Sequence, residues 1–103
     1  MALRILDETN FDEVIANSKI PVLVDFFADW CQPCHRMTPI LEGIAQENEG
    51  KFLICKVDVD GNKALAEKYQ VKNIPSLISF KGGATHKKRI GVISKEQILE
   101  MFE

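Results

Sequence analysis

The chain has 103 residues, 46% of them hydrophobic and 27% charged, and a net charge of −2 at pH 7. That length and apolar fraction suit a single domain, residues 1–103, with a core of its own, and a charge so near zero excludes bulk attraction to nucleic acid. Three cysteines are too few for a secreted disulfide scaffold, Met1-Ala2-Leu3-Arg4-Ile5 lacks the basic start and apolar run of a signal peptide, and no apolar stretch approaches the roughly 20 residues of a membrane span. The expectation is a cytoplasmic protein, a monomer by default, with neither nucleic acid nor membrane as partner.

Leu3-Arg4-Ile5-Leu6 reads as a short strand. Asp7 or Thr9 then caps a helix that carries Phe11, Val14 and Ile15 at helical spacing. Ile20 to Ala28 is apolar on both alternating sets of positions, which predicts a strand buried on both faces of a sheet. Met37, Ile40, Leu41, Ile44 and Ala45 recur at spacings of three and four, which predicts a helix over 31–48 with one apolar face. Pro39 falls inside that helix and should kink it, and Gly50 ends the segment. Residues 51–59 form the next strand, and Asp60-Gly61-Asn62 turns into a short helix around Ala64, Leu65, Ala66 and Tyr69. Leu77-Ile78-Ser79-Phe80 is a strand that stops at Lys81-Gly82-Gly83, and residues 85–90 pair back as an edge. Ser94-Lys95-Glu96-Gln97 has the capping-box pattern, with Ile98, Leu99 and Phe102 as the buried face of a last helix. The order β-α-β-α-β-α-β-β-α predicts an α/β fold. Its mixed central sheet is parallel in the first half, ends in an antiparallel C-terminal hairpin, and is flanked by four helices.

Cys31 and Cys34 lie where the buried strand hands over to the long helix. The unpaired N–H groups and the macrodipole of a helix N-terminus stabilise a thiolate, the reactive form of cysteine. Spacing i, i+3 puts both sulfurs on one side of the first turn, close enough to form a disulfide without moving the backbone. Cys31, at the edge of the turn, is the expected exposed nucleophile. Cys34, inside the helix, is the expected shielded resolving thiol. Pro33 fits an early helical position, where a missing N–H costs little. Asp25 interrupts an otherwise apolar strand. It reads either as a structural hydrogen-bonding group or as the proton acceptor that Cys34 needs before it attacks a mixed disulfide. Cys55 reads as core, and His86-Lys87-Lys88-Arg89 as a charged edge that discourages strand addition.

Other chemistries use the same letters. Cys31-Gln32-Pro33-Cys34-His35 also spells the attachment motif of a c-type haem, with His35 as axial ligand. A metal site would need His35 and Cys55 to complete four ligands. A redox-inactive binding module is a further alternative.

Trp30-Cys31-Gln32-Pro33-Cys34, the preceding Val24-Asp25-Phe26-Phe27-Ala28, the later Ile74-Pro75-Ser76 and the closing Gly91 resemble the thioredoxin family, in order, over nearly the whole chain. The resemblance implies the thioredoxin fold and a protein-disulfide reductase, a redox carrier with oxidoreductase activity. In it Cys31 is the nucleophile, Cys34 the resolving thiol, and Cys31–Cys34 the redox disulfide. It implies Asp25 as proton acceptor with Lys56 nearby as its modulator, although Lys56 alone reads equally well as a solvated strand residue. It implies that Pro75 is cis and faces the sulfurs, leaving neighbouring backbone free for substrate, where the residues alone suggest only a strand-starting proline. A substrate-binding rim of Trp30, Gln32, Pro33, Ile74, Gly91 and Val92 follows from the same resemblance. So do the absence of a bound cofactor or metal, electrons from NADPH through a thioredoxin reductase, protein disulfides as substrates, and a role in cell redox homeostasis. Glutaredoxin, the nearest relative in chemistry, lacks the Trp30 and Asp25 pattern.

The departures from the family pattern are local. Gln32 replaces a usual glycine and is expected to shift the potential. Phe27 stands where tryptophan is common. His35 and Arg36 replace a more frequent lysine, and His35 is expected to add pH dependence near neutrality. Asn73 replaces a common glycine beside Pro75 and is expected to narrow which partners fit.

Overall fold

The computed structural model describes residues 3–103. Its elements are β1 (Arg4–Leu6), α1 (Phe11–Asn17), β2 (Val22–Phe27), α2 (Gln32–Glu47), β3 (Leu53–Asp58), α3 (Lys63–Lys68), β4 (Ser76–Lys81), β5 (Ala84–Ile90) and α4 (Lys95–Glu100). The strands form one sheet in the order β1-β3-β2-β4-β5. β3 runs parallel to both β1 and β2, whereas β4 is antiparallel to β2 and β5 to β4. This is the expected mixed α/β sheet with four helices.

β2 owes its central place to being apolar on both faces. Val22, Val24 and Phe26 join Phe11 and Ile15 of α1 and Leu65 of α3 in one buried cluster. Leu23, from the alternate set, joins Met37, Leu41 and Ile44 of α2 and Ile98 of α4 in another. A strand covered by helices on both sides must be hydrophobic at every position, because each side chain leaves water. Asp25 is the exception, and it shares the face of Leu23, beneath α2.

The hairpin between β4 and β5 turns on Gly82 and Gly83, whose φ angles are +59° and +83°. A two-residue hairpin loop needs positive φ at both positions, which glycine adopts without a Cβ clash. The basic run on β5 does more than charge an edge. Lys87 Nζ donates to the Glu100 carbonyl at 3.0 Å, and Lys88 Nζ to the carbonyls of Tyr69 and Gln70 at 3.3 and 3.1 Å. These ammonium groups cover the C-terminal carbonyls of α4 and α3, where positive charge is favoured.

Several expected boundaries shift: the strand expected over 20–28 is β2 at Val22–Phe27, and the one expected over 51–59 is β3 at Leu53–Asp58. Neither Asp7 nor Thr9 caps α1; its N-cap is Asn10, without a side-chain cap bond. The Asp7 carboxylate instead organises the preceding turn, accepting from the Thr9 and Asn10 N–H groups. α2 begins at Gln32 rather than at Cys31 and continues through Pro39 as one helix. The Ser94–Gln97 capping box forms as expected. Phe102 lies beyond α4 but is buried and stacked on Phe52 at 3.8 Å between ring centroids. No helix among the described residues is long and apolar enough to cross a membrane.

Candidate active site

The site is built at the end of β2. After Phe27 the chain makes a turn closed by the Cys31 N–H donating to the Ala28 carbonyl at 3.1 Å. Cys31 is then the N-cap of α2, with extended backbone angles, and its sulfur accepts the Cys34 N–H at 3.2 Å. A cysteine sulfur thus occupies the place of the serine or aspartate oxygen that usually caps a helix. No acidic residue lies in the first turn of α2 to oppose a negative sulfur. Pro33 sits in that first turn, where no N–H is missed. Gln32 beside it is exposed.

Cys31 and Cys34 are joined by a disulfide, with Cα atoms 5.3 Å apart. The expectation of an exposed Cys31 needs correcting. In the disulfide form Cys31 is only 4% exposed and Cys34 1%. The turn folds Cys31 into a small apolar pocket with Ala28 and Cys34, against which Phe27, Val59 and Ile74 pack. The order of accessibility still favours Cys31.

The loop before β4 faces this pair. The Ile74–Pro75 peptide is cis, Pro75 is buried, and the Ile74 carbonyl oxygen lies 3.9 Å from Cys31 Sγ. The Pro75 carbonyl accepts the Gly91 N–H at 2.8 Å. Gly91 has φ +91°, so its N–H turns inward to the loop in a conformation that side chains disfavour. Val92 and Trp30 are exposed, Trp30 at 69%. The Trp30 indole N–H donates to Asp60 Oδ2 at 2.8 Å. Asp60 was not readable as a site residue, because the contact joins two loops 30 positions apart.

Asp25 lies fully buried with neither carboxylate oxygen hydrogen-bonded among the described residues. Burial pushes its pKa up to about 7, against the opposing charge of Lys56. Lys56 is its cross-strand neighbour in β3. The Lys56 ammonium does not bond to the carboxylate. It donates to Thr38 Oγ1 at 2.9 Å and lies 4.2 Å above the Phe27 ring. Thr38 is one helical turn beyond Cys34, with its Oγ1 3.5 Å from the Cys34 carbonyl. Asp25, Lys56 and the Cys34 turn of α2 therefore share one side of the sheet.

The rival chemistries do not fit this arrangement. The two sulfurs that a haem would need are bonded to each other. His35 turns its ring to the Asp29 carbonyl, 2.6 Å away. Cys55 is buried in the cluster on the opposite face of the sheet, so it cannot complete a metal site with Cys31 and Cys34. Burial pushes the Cys55 thiol up to about 12, which leaves it protonated and unreactive.

Comparison with known proteins agrees with this geometry. The thioredoxin family profile matches residues 2–103. A thioredoxin of Rickettsia bellii is 37% identical over 100 residues, covering 97% of this chain and 94% of the relative. Thioredoxin 1 of a Nostoc species is 38% identical over 102 residues, covering 99% of this chain and 94% of the relative. A bifunctional thioredoxin reductase/thioredoxin of Mycobacterium leprae is 39% identical over 99 residues, which cover 96% of this chain and 21% of that protein. With a dithiol pair at the N-terminus of α2, a cis-proline loop facing it and a family match across its length, the chain belongs to the thioredoxin family.

Proposed function

We propose that residues 1–103 act as one unit that reduces disulfide bonds in other proteins by dithiol/disulfide exchange. The observation that carries this reading is the Cys31–Cys34 disulfide at a helix N-terminus, where the Cys34 N–H points at the Cys31 sulfur. The same N–H stabilises a Cys31 thiolate when the bond is open.

The Cys31 thiolate attacks one sulfur of a substrate disulfide. That S–S bond breaks, a mixed disulfide forms, and one substrate thiol leaves with a proton from solvent. Cys34 then gives its proton to the Asp25 carboxylate and attacks the Cys31 sulfur. The second substrate sulfur departs as a thiolate and takes up the proton that Asp25 returns, and the Cys31–Cys34 bond closes. Counted from the Cys31 thiolate, solvent supplies one proton, and this chain gives the substrate two electrons and the Cys34 proton. A group with a pKa near neutrality is suited to take and return that proton, and the burial of Asp25 supplies such a group. Lys56 tunes it through space. The cis Pro75 loop, which offers no N–H at position 75, leaves neighbouring backbone to pair with the extended substrate. Trp30, Gln32, Pro33, Ile74, Gly91 and Val92 form the rim on which substrate docks.

The oxidised pair needs a reductant. Fusion of a reductase and a thioredoxin in one Mycobacterium leprae chain supports a thioredoxin reductase as that partner, with NADPH as the ultimate electron source and no cofactor on this chain. The reading places the protein in the cytoplasm, as a monomer that supplies electrons to clients and maintains redox homeostasis. Insulin reduction with dithiothreitol as electron source tests the function. Wild type accelerates precipitation of the insulin B chain and Cys31→Ser does not; equal rates for the two would overturn the reading.

A further inference from the structure

The histidine of Cys31-Gln32-Pro33-Cys34-His35 has no part in the exchange steps above, yet its contact is specific. His35 is the fourth residue of α2 and is exposed. Its Nε2 nonetheless lies 2.6 Å from the Asp29 carbonyl oxygen. A carbonyl only accepts, so Nε2 carries the proton and donates it. Asp29 belongs to the turn that the Cys31 N–H closes on Ala28. The imidazole therefore reaches from the helix that carries Cys34 back past Cys31 to the turn that presents it. It spans the same gap as the disulfide. The other ties across this gap are the Cys34 N–H on Cys31 Sγ at 3.2 Å and the His35 backbone N–H on the Cys31 carbonyl at 3.3 Å. Among the described residues, the His35 ring is the side chain of α2 that bonds to the turn upstream of Cys31.

We propose that His35 is a positioning residue for the dithiol: its ring N–H, bonded to the Asp29 carbonyl, holds the Cys31 turn against α2 while the Cys31–Cys34 bond is open. The inference rests on the disulfide-exchange reading of those two cysteines. Each cycle breaks the covalent link between turn and helix, and the His35 contact involves neither sulfur, so opening the disulfide does not itself remove it. The contact and the disulfide demand the same turn geometry, so each favours the other. With the contact in place, Cys31 Sγ stays near Cys34, and the effective concentration of one thiol at the other is high.

That concentration is measurable. When the dithiol closes it loses two electrons and two protons, and glutathione disulfide takes them to become two glutathione molecules. The equilibrium constant of that exchange rises with how well the open dithiol is held together. Loss of the His35 contact should lower it roughly two- to tenfold, the range expected for one neutral hydrogen bond.

The test compares His35→Phe, which keeps a ring but has no N–H, with His35→Gln, whose amide N–H has similar reach. Each full chain is equilibrated with graded mixtures of reduced and oxidised glutathione, and the oxidised fraction is read by mass after alkylation. The inference expects His35→Gln to match wild type and His35→Phe to have the lower constant. It also expects the mixed disulfide with glutathione to persist longer in His35→Phe. A constant for His35→Phe equal to that of wild type overturns it. So does an equal fall in both variants, which would trace the effect to the lost imidazole rather than to the donor. Failure of wild type to exchange with glutathione would instead sink the disulfide-exchange reading, and the inference with it.

Discussion

Asp25 and Lys56 stand directly opposite each other in the β2–β3 register, yet the Lys56 ammonium bonds to Thr38 and leaves the carboxylate without a hydrogen-bond partner among the described residues. An unpaired carboxylate beneath α2 is costly to ionise. The fold accepts that cost at one position of its most apolar strand, beneath the helix that carries Cys34.

The cost should appear as a pH dependence of stability. The folded pKa of Asp25, about 7, lies above the ordinary aspartate value of 3.8. Between those values the folded chain binds more protons than the unfolded one, so stability falls as pH rises. The contribution of this group is fully present below 3.8 and is gone by about pH 7. Asp25→Asn should flatten this slope and be more stable than wild type at pH 8, by an amount on the order of a few kcal/mol. Urea unfolding at pH 5 and pH 8 measures it. Identical slopes in both proteins would rule out burial as the cause.

The same group should govern turnover. Below about pH 7 Asp25 is protonated and cannot accept the Cys34 proton. Resolution of the mixed disulfide should therefore slow as pH falls. Asp25→Asn should slow it about a hundredfold at pH 8, the lower range for loss of a general base. Lys56→Met removes the charge that opposes the shift, so the midpoint of the profile should move to higher pH. Stopped-flow resolution rates across pH 5 to 9 would show this; a midpoint that stays in place in Lys56→Met would separate the two residues.

The sequence showed β2 and α2 clearly because each carries a strong periodic signal. A nine-residue run, apolar on both faces except at Asp25, predicts a central strand, and Met37, Leu41 and Ile44 predict the helix that covers it. The paired glycines predict the hairpin. Cys31 and Cys34 were legible from their spacing and from their place at the junction. What was not legible depends on chain segments meeting in space. Nothing near Trp30 points to Asp60, nothing near His35 points to Asp29, and nothing in β3 says that Lys56 reaches Thr38. The burial of Cys31 was missed for the same reason, since Ile74 and Val59 close over it from distant loops. The cis Pro75 came from family resemblance, because few X–Pro bonds are cis.

Trp30 is the single tryptophan of the chain, so its fluorescence reports its own contact. Asp60→Ala frees the indole N–H and should change the emission. It should also raise KM for a protein disulfide several-fold, the effect of one lost hydrogen bond at a docking rim. Turnover of a small aromatic disulfide, which does not need the rim, should hold steady. Equal losses on both substrates would show that Asp60 acts on the cysteines rather than on docking.

Gly91 combines φ +91° with open space: a methyl group added at its Cα would meet no atom within 4 Å. Gly91→Ala should therefore lose stability through backbone strain alone, about 1–2 kcal/mol. It should also loosen the Gly91 N–H bond to Pro75. A thermal midpoint equal to that of wild type would contradict the strain argument.

The division of labour between Cys31 and Cys34 is the centre of the mechanism, and trapping tests it most directly. Each of Cys31→Ser and Cys34→Ser is incubated with a reducible protein disulfide, and adducts are located by mass spectrometry. Cys34→Ser should accumulate a mixed disulfide on Cys31, because the attacking thiol is present and the resolving one is gone. Cys31→Ser should accumulate none, with Cys34 shielded and Cys55 buried. A stable adduct on Cys34 in the Cys31→Ser chain, with none on Cys31 in the other, would reverse the roles and contradict the mechanism.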